Sequence, residues 1–193
     1  MAHSLSQAPP TATSVGEYVV RRYEANDATA LVAAVTDSIE HLRPWMPWIE
    51  QEPQSVQQRQ EQIGLWAHEW DAKENFTMGI FLDNILVGST GLHLHDVRGS
   101  LEIGYWVRAQ FLGRGIATAV SQALTSAAFD LPEISTVQIL HDAANIPSGK
   151  VPEKLGFTMI EESPRQIETS GEVGVTRRWQ MTRDAWHIRT QAQ

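Results

Sequence analysis

The sequence predicts an α/β (α+β) domain built on a mixed central β-sheet with helices on both faces. Three observations carry this expectation. Residues 76–107 hold three consecutive strand-like runs with no helical stretch between them, the pattern of an antiparallel meander. A strand–helix–strand pattern follows over 101–140, the pattern of a parallel crossover. Two helical stretches, 28–42 and 55–73, precede the meander. At 193 residues the chain is long enough for one core without disulfide or metal staples.

Each element has its own local reason. Glu17 to Tyr23 (EYVVRRY) is rich in β-branched and aromatic residues and reads as a strand. Asn26 and Asp27 supply cap side chains, and Leu31, Val35, Ile39 and Leu42 then recur at helical spacing. Pro44 and Pro47 end that helix in the aromatic turn Trp45-Met46-Pro47-Trp48. Ser55 caps a second helix to Lys73, with Ile63, Trp66, Ala67 and Trp70 on one face. Strands follow at 76–82 and 85–95, joined by an Asp83-Asn84 turn, with Gly88 and Gly91 suggesting a bend. In the strand 101–107, Leu101, Ile103, Tyr105 and Val107 face one way and Glu102, Gly104 and Trp106 the other. An amphipathic helix covers 113–129, and a short apolar strand 136–140. A short helix over 147–155 is stopped by Gly156, and strands at 157–162 and 175–181 close the chain.

Composition narrows the function. The chain is 42% hydrophobic and 20% charged, ordinary for a globular protein. It has no cysteine, which excludes disulfide scaffolds, zinc-thiolate sites, iron–sulfur clusters and a thiol nucleophile. A net charge of −8 argues against nucleic acid as a partner and suits amine-bearing ones. No run of 18 apolar residues is present, so no membrane-spanning helix is expected. The opening MAHSLSQAPPTATSVG lacks the features of a signal peptide. It reads as a disordered leader over 1–14, ahead of a single domain over 15–193 in the cytoplasm.

The informative segment is Gln110-Phe111-Leu112-Gly113-Arg114-Gly115-Ile116-Ala117, between a strand and an amphipathic helix. Glycines spaced by one residue let the backbone turn sharply and approach a ligand. The helix leaves its first amides without partners, and with its dipole these form an anion site. Arg114 adds a full positive charge. The segment therefore reads either as a pyrophosphate cradle or as a turn using glycine for geometry alone. It is neither a Walker A loop nor Gly-x-Gly-x-x-Gly.

Gln110-x-x-Gly113-x-Gly115, preceded by Glu102-Ile103-Gly104-Tyr105-Trp106-Val107, resembles the acetyl-CoA motif of the GCN5-related N-acetyltransferase (GNAT) family. Asn145-Ile-Pro-Ser148, continuing to Glu153-Lys154-Leu155-Gly156-Phe157, matches a second family motif. So does His41-Leu42-Arg43-Pro44-Trp45-Met46-Pro47-Trp48. Together they look most like the ribosomal-protein-alanine N-acetyltransferase (RimJ/RimL-like) branch, and the likeness spans about Val15 to Thr182. The resemblance implies two neighbouring parallel strands, 101–107 and 136–140, that splay apart. It implies acetyl-CoA as co-substrate, with the pantetheine in the gap against Trp106 and Val107. The diphosphate would lie on amides of Leu112, Gly113, Arg114, Gly115, Ile116 and Ala117, and Asn145 would hold the pantetheine or order its loop.

Chemistry assigns the remaining roles. An amine attacks a thioester only when neutral, and an ordinary amine is partly or mostly protonated near neutral pH. Glu102, a carboxylate in an otherwise apolar strand, is the candidate base, and burial would raise its pKa. Its alternative is a structural carboxylate. Ser148 matches the family position of the acid for the departing thiolate; its alternative is a helix N-cap. Amides near Val107 would polarise the thioester carbonyl.

Other residues carry two readings. His93 and His95 share a strand face and would form a metal pair with His141 or Glu102 as third ligand; the plainer expectation is strand histidines and no metal, with one of them, His93, expected to line the acceptor pocket. Trp45 and Trp48 are expected to close over the acceptor, while Trp66 and Trp70 are expected to pack. Glu50, Glu52, Glu61 and Glu69 either attract a cationic acceptor or are a solvated face. Lys150 and Lys154 either meet the 3′-phosphate of CoA or are solvated. The expected function is direct acetyl transfer from acetyl-CoA to a primary amine, a protein N-terminus or a small molecule, by a monomer or homodimer. The alternatives are a non-catalytic acyl-CoA-binding module and a histidine-metal hydrolase.

Overall fold

The computed structural model describes residues 4–94 and 97–191. One eight-stranded sheet runs through it. The strands are β1 (Ala12–Val15), β2 (Tyr18–Arg22), β3 (Asn75–Leu82), β4 (Ile85–Leu94), β5 (Ser100–Val107), β6 (Thr136–Asp142), β7 (Thr158–Pro164) and β8 (Val175–Thr182). Their order is β1-β2-β3-β4-β5-β6-β8-β7, antiparallel throughout except for β5 and β6. The helices are α1 (Ala28–Thr36), α2 (Ile39–Leu42), α3 (Val56–Ala72), α4 (Ile116–Phe129), α5 (Ile146–Leu155) and α6 (Arg183–Gln191). They cover the sheet over two cores. One is built on Phe76, Ile80, Leu101, Ile103, Val120, Leu124, Val137 and Ile139. The other is built on Tyr23, Leu31, Val35, Ile49, Ile63 and Phe81.

The parallel pair places the site. β5 keeps β4 from Leu94↔Leu101 to Gly88↔Val107, and β6 keeps β8 from Thr136↔Thr182 to Asp142↔Thr176. β5 and β6 pair with each other only from Ser100↔Thr136 to Glu102↔Gln138. Beyond Glu102 each strand holds its outer neighbour and releases the inner one. A wedge opens there, with unpaired backbone on both sides.

Three elements differ from expectation. The segment read as a disordered leader contains β1, which pairs with β2 from Ala12↔Arg21 to Val15↔Tyr18. Ahead of it Leu5 is buried, and its N–H donates to Lys73 O at 3.1 Å. Small polar residues on a sheet edge hide the hydrophobic alternation by which a strand is read. The single helix expected to Leu42 is broken into α1 and α2 at Asp37-Ser38. There Asp37 pairs with Arg108, and Ser38 Oγ accepts from Ala109 N (3.0 Å) while donating to Ala34 O (2.8 Å). The break ties the helical layer to the end of β5. Finally, α6 follows β8. It buries one large residue, Trp186, whose indole N–H donates to Ser126 Oγ at 3.2 Å, while Ile188 is exposed, too little periodicity to read.

Candidate active site

Two cavities meet at the open end of the wedge. One, about 320 Å³, is lined by Val107, by Leu112 through Thr118 and by Lys150 and Lys154 of α5. The other, about 540 Å³, is lined by Trp48, Trp66, Thr77, His93, Glu102 and residues of the β7–β8 segment. Trp45, Met46, Tyr105, Trp106, Asn145 and Ser148 line both.

The smaller cavity is built by a turn. After β5 the chain makes one 3-10 turn over Ala109–Phe111, and Gly113 (φ +76°) and Gly115 (φ +75°) then bring it onto the N-terminus of α4. Both glycines hold the left-handed region that L-residues avoid. A Cβ at either would meet nothing within 4 Å, so the requirement is backbone conformation over open space. The first bond into the helix is donated by Ala119 to Gly115 O (3.0 Å), so the amides before it have no helical partner. The geometry is that of an anion cradle. Arg114 is exposed, its guanidinium 4.8 Å from the centre of the Phe111 ring. Gln110 lies beside the Arg108 guanidinium and is not in the cavity wall, unlike the rest of its motif.

At the junction the second motif takes shape. Asn145 is the N-cap of α5, its Oδ1 accepting from Ser148 N at 3.2 Å. The N-cap reading of Ser148 is thereby corrected: Ser148 sits within the first turn, and Asn145 caps the helix in its place. Tyr105 Oη reaches across the wedge to within 3.0 Å of Ser148 O and 3.1 Å of Ser148 Oγ. Burial outweighs the contact with Ser148 and pushes its phenol up to about 12.

In the larger cavity Glu102 stands opposite His93 across β4 and β5. Gly91 and Gly104, paired two residues along and on the same face, make room for the imidazole: a Cβ at Gly91 would lie 2.8 Å from His93 Nε2. Burial lowers the His93 pKa and favours a neutral ring. Trp45 and Trp48 line this cavity, and Trp48 faces Trp106 at 6.3 Å. Trp66 lines it too, so only Trp70, edge-on to Phe76, is purely a packing residue.

The acidic cluster does not form a cation trap. Glu52 is buried against Arg59, and Glu50 pairs with Arg43 at 3.2 Å. Of the two third ligands considered for a histidine metal pair, Glu102 stands opposite His93 and His141 is engaged elsewhere: its Nε2 accepts from Trp179 Nε1 (2.9 Å), and its Nδ1 contacts Asp142 O (2.7 Å). His95 lies outside the described residues. Among those described, no three His, Asp or Glu side chains gather at metal-binding spacing.

Sequence reasoning missed Asp142. Burial opposes its ionisation, but N–H groups of Ala144, Val173, Gly174 and Val175 outweigh this and hold its pKa below the usual range. One carboxylate thus fixes both the loop before α5 and the end of the β7–β8 segment. That segment crosses the larger cavity: Gly171 N and Thr169 Oγ1 both donate to Pro44 O, and Glu172 is sealed under it against Arg165. Asp142 in a short apolar strand gave no signal before the fold was known.

Gly149 allows α5 to approach β6. A Cβ there would lie 2.8 Å from Cε1 of His141, a ring pinned at both nitrogens. Gly149→Ala is expected to cost about 1–3 kcal/mol from overpacking, against about 1 kcal/mol gained in helix propensity. The net cost is about 0–2 kcal/mol, a thermal melt checks it, and a raised Tm would contradict it.

Residues 18–158 match the Acetyltransferase (GNAT) domain family. A Bacillus subtilis (strain 168) protein named "Putative ribosomal N-acetyltransferase YdaF" is 31% identical over 145 residues, covering 74% of this chain and 79% of that one. A solved structure titled "Crystal structure of Probable acetyltransferase" superposes with a TM-score of 0.83 at 27% identity, covering 91% of this chain and 98% of that one. RimJ of Mycobacterium smegmatis, solved in complex with CoA-disulfide, shares the fold at 24% identity, with a TM-score of 0.81 and 95% of each chain covered. The splayed strands, the glycine turn and these likenesses agree, and the chain belongs to the GNAT family of acetyltransferases.

Proposed function

We propose that this acetyltransferase moves the acetyl group of acetyl-CoA directly onto a primary amine. The observation that carries the reading is the meeting of two cavities at Tyr105, Asn145 and Ser148: an amide-lined one that suits a diphosphate, and one holding a carboxylate and a neutral imidazole that suits an amine. The diphosphate rests on N–H groups of Leu112 to Ala117, with Lys150 and Lys154 near the 3′-phosphate. The pantetheine lies in the wedge against the free backbone of β5, and N–H groups near Val107 polarise the thioester carbonyl.

The ammonium form of the acceptor enters between Trp45, Trp48 and His93 and loses its proton to Glu102, directly or through water. The amine nitrogen attacks the carbonyl carbon, the C–N bond forms and the C–S bond breaks. Ser148 Oγ–H stabilises the departing thiolate, and the second proton lost by nitrogen balances the thiol product. The segment over the larger cavity, held to Pro44, suits a small amine or the first residue of a peptide better than a folded surface. The name of the Bacillus relative puts ribosomal N-terminal amines first among acceptors to try.

The test is release of free CoA thiol from acetyl-CoA across a panel of peptides and small amines. Ser148→Ala is expected to lower kcat about 10²-fold with little change in KM for acetyl-CoA. Tight CoA binding with no turnover on any amine would instead support a non-catalytic acyl-CoA-binding protein.

A further inference from the structure

Pro152 lies inside α5, four residues after Ser148. In an α-helix the carbonyl of residue 148 accepts from the N–H of residue 152. Proline has no N–H, so this carbonyl has no i+4 donor. The group 3.0 Å from it is the Tyr105 hydroxyl, which crosses from β5 to reach it. A carbonyl only accepts, so the phenolic proton is committed there. Tyr105 Oη keeps its lone pairs and lies 3.1 Å from Ser148 Oγ. The hydrogen-bond direction that satisfies both contacts runs from Ser148 O–H to Tyr105 Oη and from Tyr105 O–H to Ser148 O.

We infer that Tyr105 is the positioning residue for Ser148, anchored by the carbonyl that Pro152 leaves open. The inference rests on the role proposed above for Ser148. It places the serine hydroxyl at the junction of the two cavities, where Tyr105, Ser148 and Asn145 all line both. Asn145 fixes the serine main chain through Ser148 N, and Tyr105 fixes its side chain. With its proton on the phenolic oxygen, Ser148 Oγ holds one rotamer. As charge develops on sulfur, the O–H has only to swing from one acceptor to another. A phenol raised by burial stays protonated through the working pH range and keeps its grip on the carbonyl.

The coupling to Pro152 separates this role from a merely structural one. Tyr105→Phe removes both bonds. It is expected to lower Tm by about 3–8 °C, because the part-buried Ser148 carbonyl is left without this donor. It is also expected to lower kcat about 10-fold while KM for acetyl-CoA stays within about 2-fold. Pro152→Ala gives the carbonyl its own helical donor. In that background Tyr105→Phe is expected to cost less than half the Tm shift, yet the same loss in kcat, because no acceptor for Ser148 O–H returns.

Two results overturn the inference. Equal Tm shifts in both backgrounds would break the link to Pro152. Recovery of kcat along with Tm in the double variant would make Tyr105 structural only. If the wild-type chain acetylates no amine of the panel, the transfer reading itself fails, and the Tm comparison still decides the link between Tyr105, Ser148 and Pro152.

Discussion

Glu102→Gln is expected to lower kcat by about 10²–10⁴-fold near neutral pH, the range for losing a positioned general base. Glutamine keeps the volume and hydrogen-bonding reach of glutamate, so the fold should survive, with Tm within a few degrees of wild type. The expectation follows from where the residue sits. Glu102 is the last residue of β5 paired with β6, at the apex of the wedge, and it faces the larger cavity beside His93. The pH dependence distinguishes a base from a structural carboxylate. A base matters because the acceptor arrives protonated. As pH rises through the amine pKa, about 8 for an α-amine or 10.4 for a lysine, solvent does the deprotonation and the deficit of the variant should shrink. A deficit constant from pH 7 to 10, or a folded variant with near-normal kcat at pH 7, would remove Glu102 from this role.

Gly113→Val and Gly115→Val are each expected to weaken CoA binding about 10-fold. Both glycines sit near φ +75°, where an L-residue costs about 1–2 kcal/mol and a β-branched one more. Nothing lies within 4 Å of a Cβ at either position, so the substitution meets open space at that atom. The loss comes from the backbone: the free turn relaxes, and binding must restore the strained form, at about tenfold per 1.4 kcal/mol. Gly64→Ala is the control. Gly64 is in α3 with open space around its Cβ, so alanine should raise stability by about 0.4–1 kcal/mol and leave CoA affinity unchanged. Isothermal titration with CoA reads all three. Unchanged affinity in both valine variants would mean that the turn does not hold the diphosphate.

The frame of the fold was legible because its elements repeat their chemistry locally. The α3 helix has a serine cap and an apolar stripe, and it runs as expected from the residue after Ser55. The Asp83-Asn84 turn forms without glycine because both residues take the left-handed region, which short polar side chains tolerate. What sequence hid were features with long-range causes. β1 is an edge strand with neither face buried, visible only through its pairing with β2. The break between α1 and α2 is made by Arg108 and Ala109, about 70 residues away. Asp142 acts through amides some 30 residues downstream.

The site divides in the same way. Residues that act through local structure, Gly113 and Gly115 by backbone shape and Asn145 as a helix cap, declare themselves in a motif. Gln110, part of that same motif, lies outside the cavity wall. Tyr105 reads as a core residue, because strand alternation puts it on the apolar face. Only the wedge turns that face toward α5 and Ser148. Pro152, four residues after Ser148, removes a helical donor from the Ser148 carbonyl, and only the fold brings the Tyr105 hydroxyl to that carbonyl.

The most direct measurement is a crystal structure of the chain grown or soaked with CoA. The account predicts diphosphate oxygens within about 3 Å of main-chain N–H groups between Leu112 and Ala117, with the pantetheine running into the wedge toward Ser148. Electron density for the nucleotide on any other edge of the sheet, with that turn bare, would contradict it.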